Sequence, residues 1–162
     1  MKAVIQRVTK ASVTIDGTIV ASIKKGMLIL LGVEALDTEQ DSHWLSKKIA
    51  NLRIFDDLNG VMNCSLIEDQ ADVIVVSQFT LHASTKKGNR PSYIKAAKAS
   101  IAIPLYENFI SQLEQELGKK VQTGKFGASM ALEIHNNGPV TIIIDSKNKR
   151  SEERRVGKEC RS

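Results

Sequence analysis

Two short segments carry the polar groups best placed to do chemistry. Ser77-Gln78-Phe79-Thr80-Leu81 follows directly on an apolar run ending at Val76 and offers two hydroxyls, an amide and an aromatic face at the end of a buried strand. Strand ends are where a rigid scaffold presents functional groups. A strand also turns polar merely on leaving a core, and the residues alone leave both readings open. The second segment is Asn137-Gly138-Pro139-Val140-Thr141. X–Pro is the only common site of a cis peptide, and glycine before it tolerates otherwise strained dihedrals. A Gly–cis-Pro unit would present two carbonyls with no Cβ on the glycine; the plainer alternative is a trans turn between strands.

The inventory around these segments is bare. There is no Gly-rich phosphate loop, no nucleophile elbow and no Cys or His pair at metal spacing, so neither a metal nor a cofactor is expected. His43, His82 and His135 stand far apart in sequence and are expected at the surface. Cys64 and Cys160 form neither a disulfide framework nor a metal cluster and suit two reduced thiols in a cytoplasmic protein. The net charge of +5 and pI near 9.2 lean towards a polyanionic partner such as nucleic acid, and Lys86, Lys87 and Arg90 around Gly88 form the candidate cluster. The longest apolar run, Met27 to Val33, is too short to cross a bilayer, and the N-terminus lacks the apolar core of a signal peptide, so no membrane partner is expected.

Positioning these groups takes an α/β body. Val4–Val8 and Val13–Ile15 read as strands, Asp16-Gly17 as a tight turn before Thr18–Ile23, and Met27–Val33 as a strand covered on both faces. Asp37, with Gln40 three residues on, reads as the N-cap of a helix burying Leu45, Ile49 and Leu52. Arg53–Phe55 reads as a short strand closed by the turn Asp57-Leu58-Asn59-Gly60, and Val73–Val76 as a buried strand. Ser92 is expected to cap a short helix to about Ser100. Pro104 suits the first turn of another helix, whose buried stripe is Leu105, Phe109, Leu113 and Leu117 and whose end is Gly118. Met130–His135 and Val140–Asp145 read as two strands separated by Asn136-Asn137-Gly138-Pro139. No repeat or linker divides the body.

The two segments together resemble the signature motifs of the D-aminoacyl-tRNA deacylase family. Ile5-Gln6-Arg7-Val8, Leu52-Arg53-Ile54-Phe55, Lys87-Gly88-Asn89-Arg90-Pro91-Ser92 and Gly124-Lys125-Phe126-Gly127-Ala128 match its pattern too, so the likeness runs from Met1 to about Asp145. Asn89 departs from it, standing where a basic residue is usual. The resemblance implies a single domain with a mixed, largely antiparallel barrel-like sheet and flanking helices. It implies hydrolysis of the ester of D-aminoacyl-tRNA, and of mischarged glycyl-tRNA, with aminoacylated tRNA and a second copy of the chain as partners. Such an ester needs an attacking water, oxyanion stabilisation and orientation; none requires a charged residue or a metal. By resemblance, Ser77, Gln78, Phe79 and Thr80 floor the catalytic pocket, with the Phe79 and Thr80 amides as donors. Ala102, Phe126 and Met130 line it. Arg7 buttresses the loop carrying Gly138 and Pro139, which enters the partner's pocket in cis form and rejects L side chains. Lys86, Lys87 and Arg90 take tRNA phosphates. Thr80 is either a nucleophile or a positioning residue assisted by the substrate's 2′-hydroxyl.

Two rival readings remain at this level: a non-catalytic tRNA-binding or editing-like module of the same fold, and an esterase for small metabolites. The domain is expected to span residues 1–148. Residues 149–162 are expected to form a disordered basic tail, since Ser151–Ser162 carries one aliphatic side chain and seven charges, four basic against three acidic.

Overall fold

Alternating burial along Lys2–Ile15 makes one long strand, β1, the spine of the molecule. The computed structural model describes residues 1–149. After β1 come β2 (Thr18–Ile23), β3 (Gly26–Gly32), α1 (Glu39–Asn51), β4 (Phe55–Asp56), β5 (Met62–Cys64), α2 (Leu66–Asp69), β6 (Asp72–Ser77), a 3-10 turn (Phe79–His82), α3 (Ala99–Leu117), β7 (Gln122–Thr123) and β8 (Ala131–Asp145). β1 pairs antiparallel with β2, β3 and β8, whereas β6 joins β3, and β7 joins β6, in parallel. The two ends of the path β2-β1-β3-β6-β7 are bridged by one side chain: the Gln122 amide accepts from the Ser22 N–H and donates to its carbonyl, both at 2.7 Å. The result is the mixed, barrel-like sheet with flanking helices that the sequence leads one to expect.

One face of the sheet carries Ala3, Ile5, Ile29 and Val75 against Leu45 and Ile49 of α1 and Leu105, Phe109 and Leu113 of α3. Side chains of this size each contribute about 1.5–3 kcal/mol when buried. The other face carries a smaller cluster, including Val8, Val13, Leu28 and Ile74. At the chain start the Met1 ammonium meets Asp37 at 2.5 Å and Ser146 at 3.0 Å, with Met1 and Asp37 side chains fully buried. No helix among the described residues is long and apolar enough to cross a membrane.

Several local expectations need correction. Val4–Val8 and Val13–Ile15 belong to one strand, and so do Met130–His135 and Val140–Asp145, which join as β8. The continuity survives Pro139 because residues 137–140 bulge out opposite Arg7 alone: Gln6 pairs with Thr141 and Val8 with Asn136. A proline in a bulge owes no ladder hydrogen bond. Asp37 does not cap α1, since its carboxylate is taken by the Met1 ammonium and the Glu34 amide; Thr38 is the N-cap, its N–H donating to Asp41 at 2.9 Å. Leu52 lies just past α1 as its half-buried C-cap. The strand expected at Arg53–Phe55 is shifted to Phe55–Asp56, in a hairpin with β5. Ser92 starts no helix, because its N–H and carbonyl both pair with Ser84 at 2.8 Å. Pro104 sits inside α3 beyond its first turn. The sequence reading missed β5, α2, β7 and the 3-10 turn. The expected tail lies, beyond Lys149, outside the described residues, as does Cys160; Cys64 is a free thiol.

Candidate active site

Parallel pairing of β3 with β6 brings their carboxyl ends level, with Leu31 opposite Ser77. The Gln78 amide then caps β3 by donating to the Leu31 carbonyl at 2.8 Å, and the chain folds at once into the 3-10 turn. Gly32 permits this: a Cβ there would lie 3.0 Å from the Leu81 Cβ and 3.1 Å from the Gln78 carbonyl oxygen. Facing the turn are the first half of α3 and the segment entering β8. Together these enclose a cavity of about 460 Å³ lined by Ser77, Gln78, Phe79 and Thr80, by Ala102 and Tyr106, and by Phe126 and Met130, among others. All seven residues placed here by resemblance meet in this one cavity.

The wall chemistry is neutral. Gln78 donates through its side-chain amide to the Thr80 hydroxyl at 3.0 Å, fixing that hydroxyl without supplying a base. Phe79 and Thr80 open the 3-10 turn, where leading N–H groups lack an intrahelical acceptor; among the described residues neither amide is taken up elsewhere. Phe79 is 57% exposed and meets the Tyr93 ring edge-on at 5.0 Å. Tyr106 escaped the sequence reading, although it extends the buried line Ala102, Phe109, Leu113 at helical spacing. Its hydroxyl donates to the Val75 carbonyl at 3.1 Å, its ring leans on Phe126 at 5.8 Å, and burial pushes its phenol up to about 12. Tyr106 therefore stays protonated. His82, expected at the surface, is buried at the end of the 3-10 turn with no partner for its Nε2 among the described residues, because the turn packs it onto β3 beside Gly32.

The remaining residues lie apart from this cavity within one chain. Gly138–Pro139 is a cis peptide, and both residues are exposed in the β8 bulge. Arg7 is 9% exposed in its side chain; its Nε donates to the Asn137 carbonyl at 3.1 Å, and its Nη1 to the Ile54 carbonyl at 2.8 Å and to Asp56 at 3.3 Å. Lys86, Lys87 and Arg90 are exposed on the loop closed by the Ser84–Ser92 bridge. Among the described residues no group of three His, Cys, Asp or Glu could hold a metal ion. A cavity with unclaimed amides, one fixed hydroxyl and, among the described residues, no acid or base in its lining suits the orientation of an ester and the stabilisation of its oxyanion.

Comparison with known proteins bears on this chemistry. The family model described as D-Tyr-tRNA(Tyr) deacylase matches residues 4–145. A D-aminoacyl-tRNA deacylase of Flavobacterium psychrophilum is 68% identical over 149 residues, which cover 92% of this chain and 99% of that protein. One from Bacteroides fragilis is 64% identical over the same shares. A solved structure of a c-Myc DNA unwinding element binding protein superposes with a TM-score of 0.84 at 40% identity, over 90% of this chain and 98% of that one. A probable eukaryotic D-amino acid tRNA deacylase, at 16% identity and a TM-score of 0.78 over 89% of this chain and 98% of that one, shares the fold. With a matching family model over most of its length and relatives at this level of identity, the chain belongs to the D-aminoacyl-tRNA deacylase family.

Proposed function

We propose that this chain hydrolyses the ester joining a D-aminoacyl or glycyl group to the terminal ribose of tRNA, as a cytoplasmic homodimer whose working domain is residues 1–148. The observation that carries the reading is the cavity floored by Ser77–Thr80, with two unclaimed amides and no acid–base pair. The Phe79 and Thr80 amides hold the ester carbonyl and gather the charge that develops on its oxygen. Water attacks, and the 2′-hydroxyl of the substrate assists proton movement. Thr80, held by Gln78 and without a neighbouring base, positions the substrate rather than attacking it.

Handedness has to come from exclusion, because D and L substrates carry identical groups. The Gly138–Pro139 bulge of one subunit enters the other's cavity and occupies the space an L side chain needs. Glycine, having no side chain, passes the filter. Support for a second copy comes from a sheet row running through Ile143, Val4, Leu30 and Val76. Its outer end is uncovered, with Ile143 57% exposed, and its inner end, Val76, lines the cavity. Lys86, Lys87 and Arg90 contact phosphates of the bound tRNA.

The test compares release of free amino acid from matched D- and L-aminoacyl-tRNA by the wild type and by Thr80→Ala. Fast D release, slow L release and less than a tenfold fall in kcat for Thr80→Ala are expected. Loss of turnover with retained tRNA binding in Thr80→Ala would replace water attack by a covalent route. No turnover by the wild type would favour a tRNA-binding module, and equal turnover of simple esters would favour a metabolite esterase.

A further inference from the structure

The lips of the cavity carry groups that the reaction itself does not use. On one side the lining residue Ala97 is followed by Lys98, and on the other the lining residues Phe126 and Gly127 are preceded by Lys125. Each lysine is exposed, and neither forms an ion pair or side-chain hydrogen bond among the described residues. Other lysines do find carboxylates: Lys10 with Glu133, Lys25 with Asp69, Lys119 with Asp72. The acid beside the lining residue Val33, Glu34, is half-buried and tied through its backbone to Ala96. A third side of the mouth bears Tyr93, 42% exposed, set edge-on against Phe79. Consecutive Cα atoms are about 3.8 Å apart, so both lysine stems start within one residue of the cavity lining, and long side chains from there can reach a strand lying at its mouth.

Unpaired cations around exposed aromatic faces are the means by which proteins hold single-stranded nucleic acid: lysine takes phosphate and the ring takes a base. We propose that Lys98, Lys125 and Tyr93 form a rim that grips the unpaired 3′ end of the tRNA, Lys98 and Lys125 on backbone phosphates and Tyr93, braced by Phe79, against a base. The proposal rests on the deacylase reading and deepens it. The exposed loop carrying Lys86, Lys87 and Arg90 then serves the body of the tRNA, and the rim feeds its end into the cavity. All three act as positioning residues. Replacing Lys98 removes no helix cap, because its side chain makes no capping bond at the start of α3.

The experiment measures two things in the full chain. The first is binding of uncharged tRNA and of the same tRNA trimmed of its unpaired 3′ nucleotides, across a salt series. The second is turnover of D-aminoacyl-tRNA against D-aminoacyl-adenosine, which has the ester and ribose but no phosphate. For Lys98→Ala/Lys125→Ala the expected result is a roughly tenfold rise in KM for the tRNA substrate with kcat little changed, and a salt slope flatter by about two. The advantage of intact over trimmed tRNA should shrink to the part that Tyr93 supplies. Tyr93→Ala should raise the tRNA KM, and Tyr93→Phe should restore it. An unchanged salt slope and intact-over-trimmed advantage in the lysine variant would overturn the proposal, as would an equal loss on the adenosine ester. A wild type that prefers intact tRNA without releasing amino acid would instead defeat the deacylase reading and leave the rim standing.

Discussion

Replacing Arg7 with methionine removes three hydrogen bonds at once, to the carbonyls of Asn137 and Ile54 and to the Asp56 carboxylate. The last matters least. Asp56 is 55% exposed, and such a pair is worth about 0–1 kcal/mol. The two carbonyls decide the magnitude, since each bond from a charged donor contributes about 1.5–3 kcal/mol and each acceptor loses its only described side-chain partner. Methionine refills much of the space along the alkyl stem, so the cavity penalty is small. The expected loss is therefore about 3–5 kcal/mol, a large share of the roughly 5–15 kcal/mol that holds a domain folded. Arg7→Lys keeps the charge but cannot span both carbonyls, and should lose about 1.5–3 kcal/mol. Denaturant titrations at fixed protomer concentration measure both. If the bulge at Asn137–Val140 is held by Arg7, each variant also narrows the ratio of D to L hydrolysis. A loss below about 1 kcal/mol for Arg7→Met, or a lysine variant as stable as the wild type, would refute the anchoring role.

Gly26→Ala would drive a Cβ into the carbonyl oxygen of Asp72 on the paired strand β6, and is expected to yield little folded protein; a melting temperature within a few degrees of the wild type would contradict the register. Burial alone would raise the Asp41 carboxyl, yet its bonds to Thr38, Lys147 and Ser146 and the Lys147 charge outweigh it and hold the group at about 2. Its folded value lies below the ordinary 3.8, so its contribution is present above about pH 4 and is lost as the pH falls towards 2. Asp41→Asn should flatten acid unfolding in that window, and an unchanged acid midpoint would argue against the network. Deleting residues 151–162, which offer one aliphatic side chain, should leave melting temperature and deacylation unchanged; the loss of several degrees would show that the segment packs.

Periodicity made much of the fold legible before any coordinates. The run Met27–Val33, apart from the half-buried Leu30, and the stripe Leu105, Phe109, Leu113, Leu117 lie buried as their spacing demands, and Gly118 ends α3 with a φ of 68°. What stayed hidden depended on partners distant in sequence. Pro139 reads as a strand breaker, and only Arg7 across the ladder shows why β8 runs through it. Asp37 and Thr38 are both plausible caps, and the choice falls to Thr38 because the Met1 ammonium takes the Asp37 carboxylate. The polar floor of the cavity was visible as Ser77–Thr80; Tyr106 lies on the helical line of Ala102 and Phe109 but reads there as plain core, and the burial of His82 depends on Gly32, fifty residues earlier in the chain.

Every other contact around the barrel path is a ladder of backbone bonds, whereas β2 and β7 meet through one glutamine whose partner lies 100 residues away. The β1–β8 ladder closes a still longer loop, from Lys2 to Asp145, but sets many backbone bonds against that entropy, whereas the glutamine contact has only its two hydrogen bonds. Local opening with a low free energy is where hydrogen exchange begins and where ligands gain entry. The residues that follow β7 are those that bring Phe126 and Met130 to the cavity wall. The barrel is thus joined most thinly at a seam from which the wall of the cavity hangs, so local opening there would widen the place where a bulky acyl group has to enter and leave.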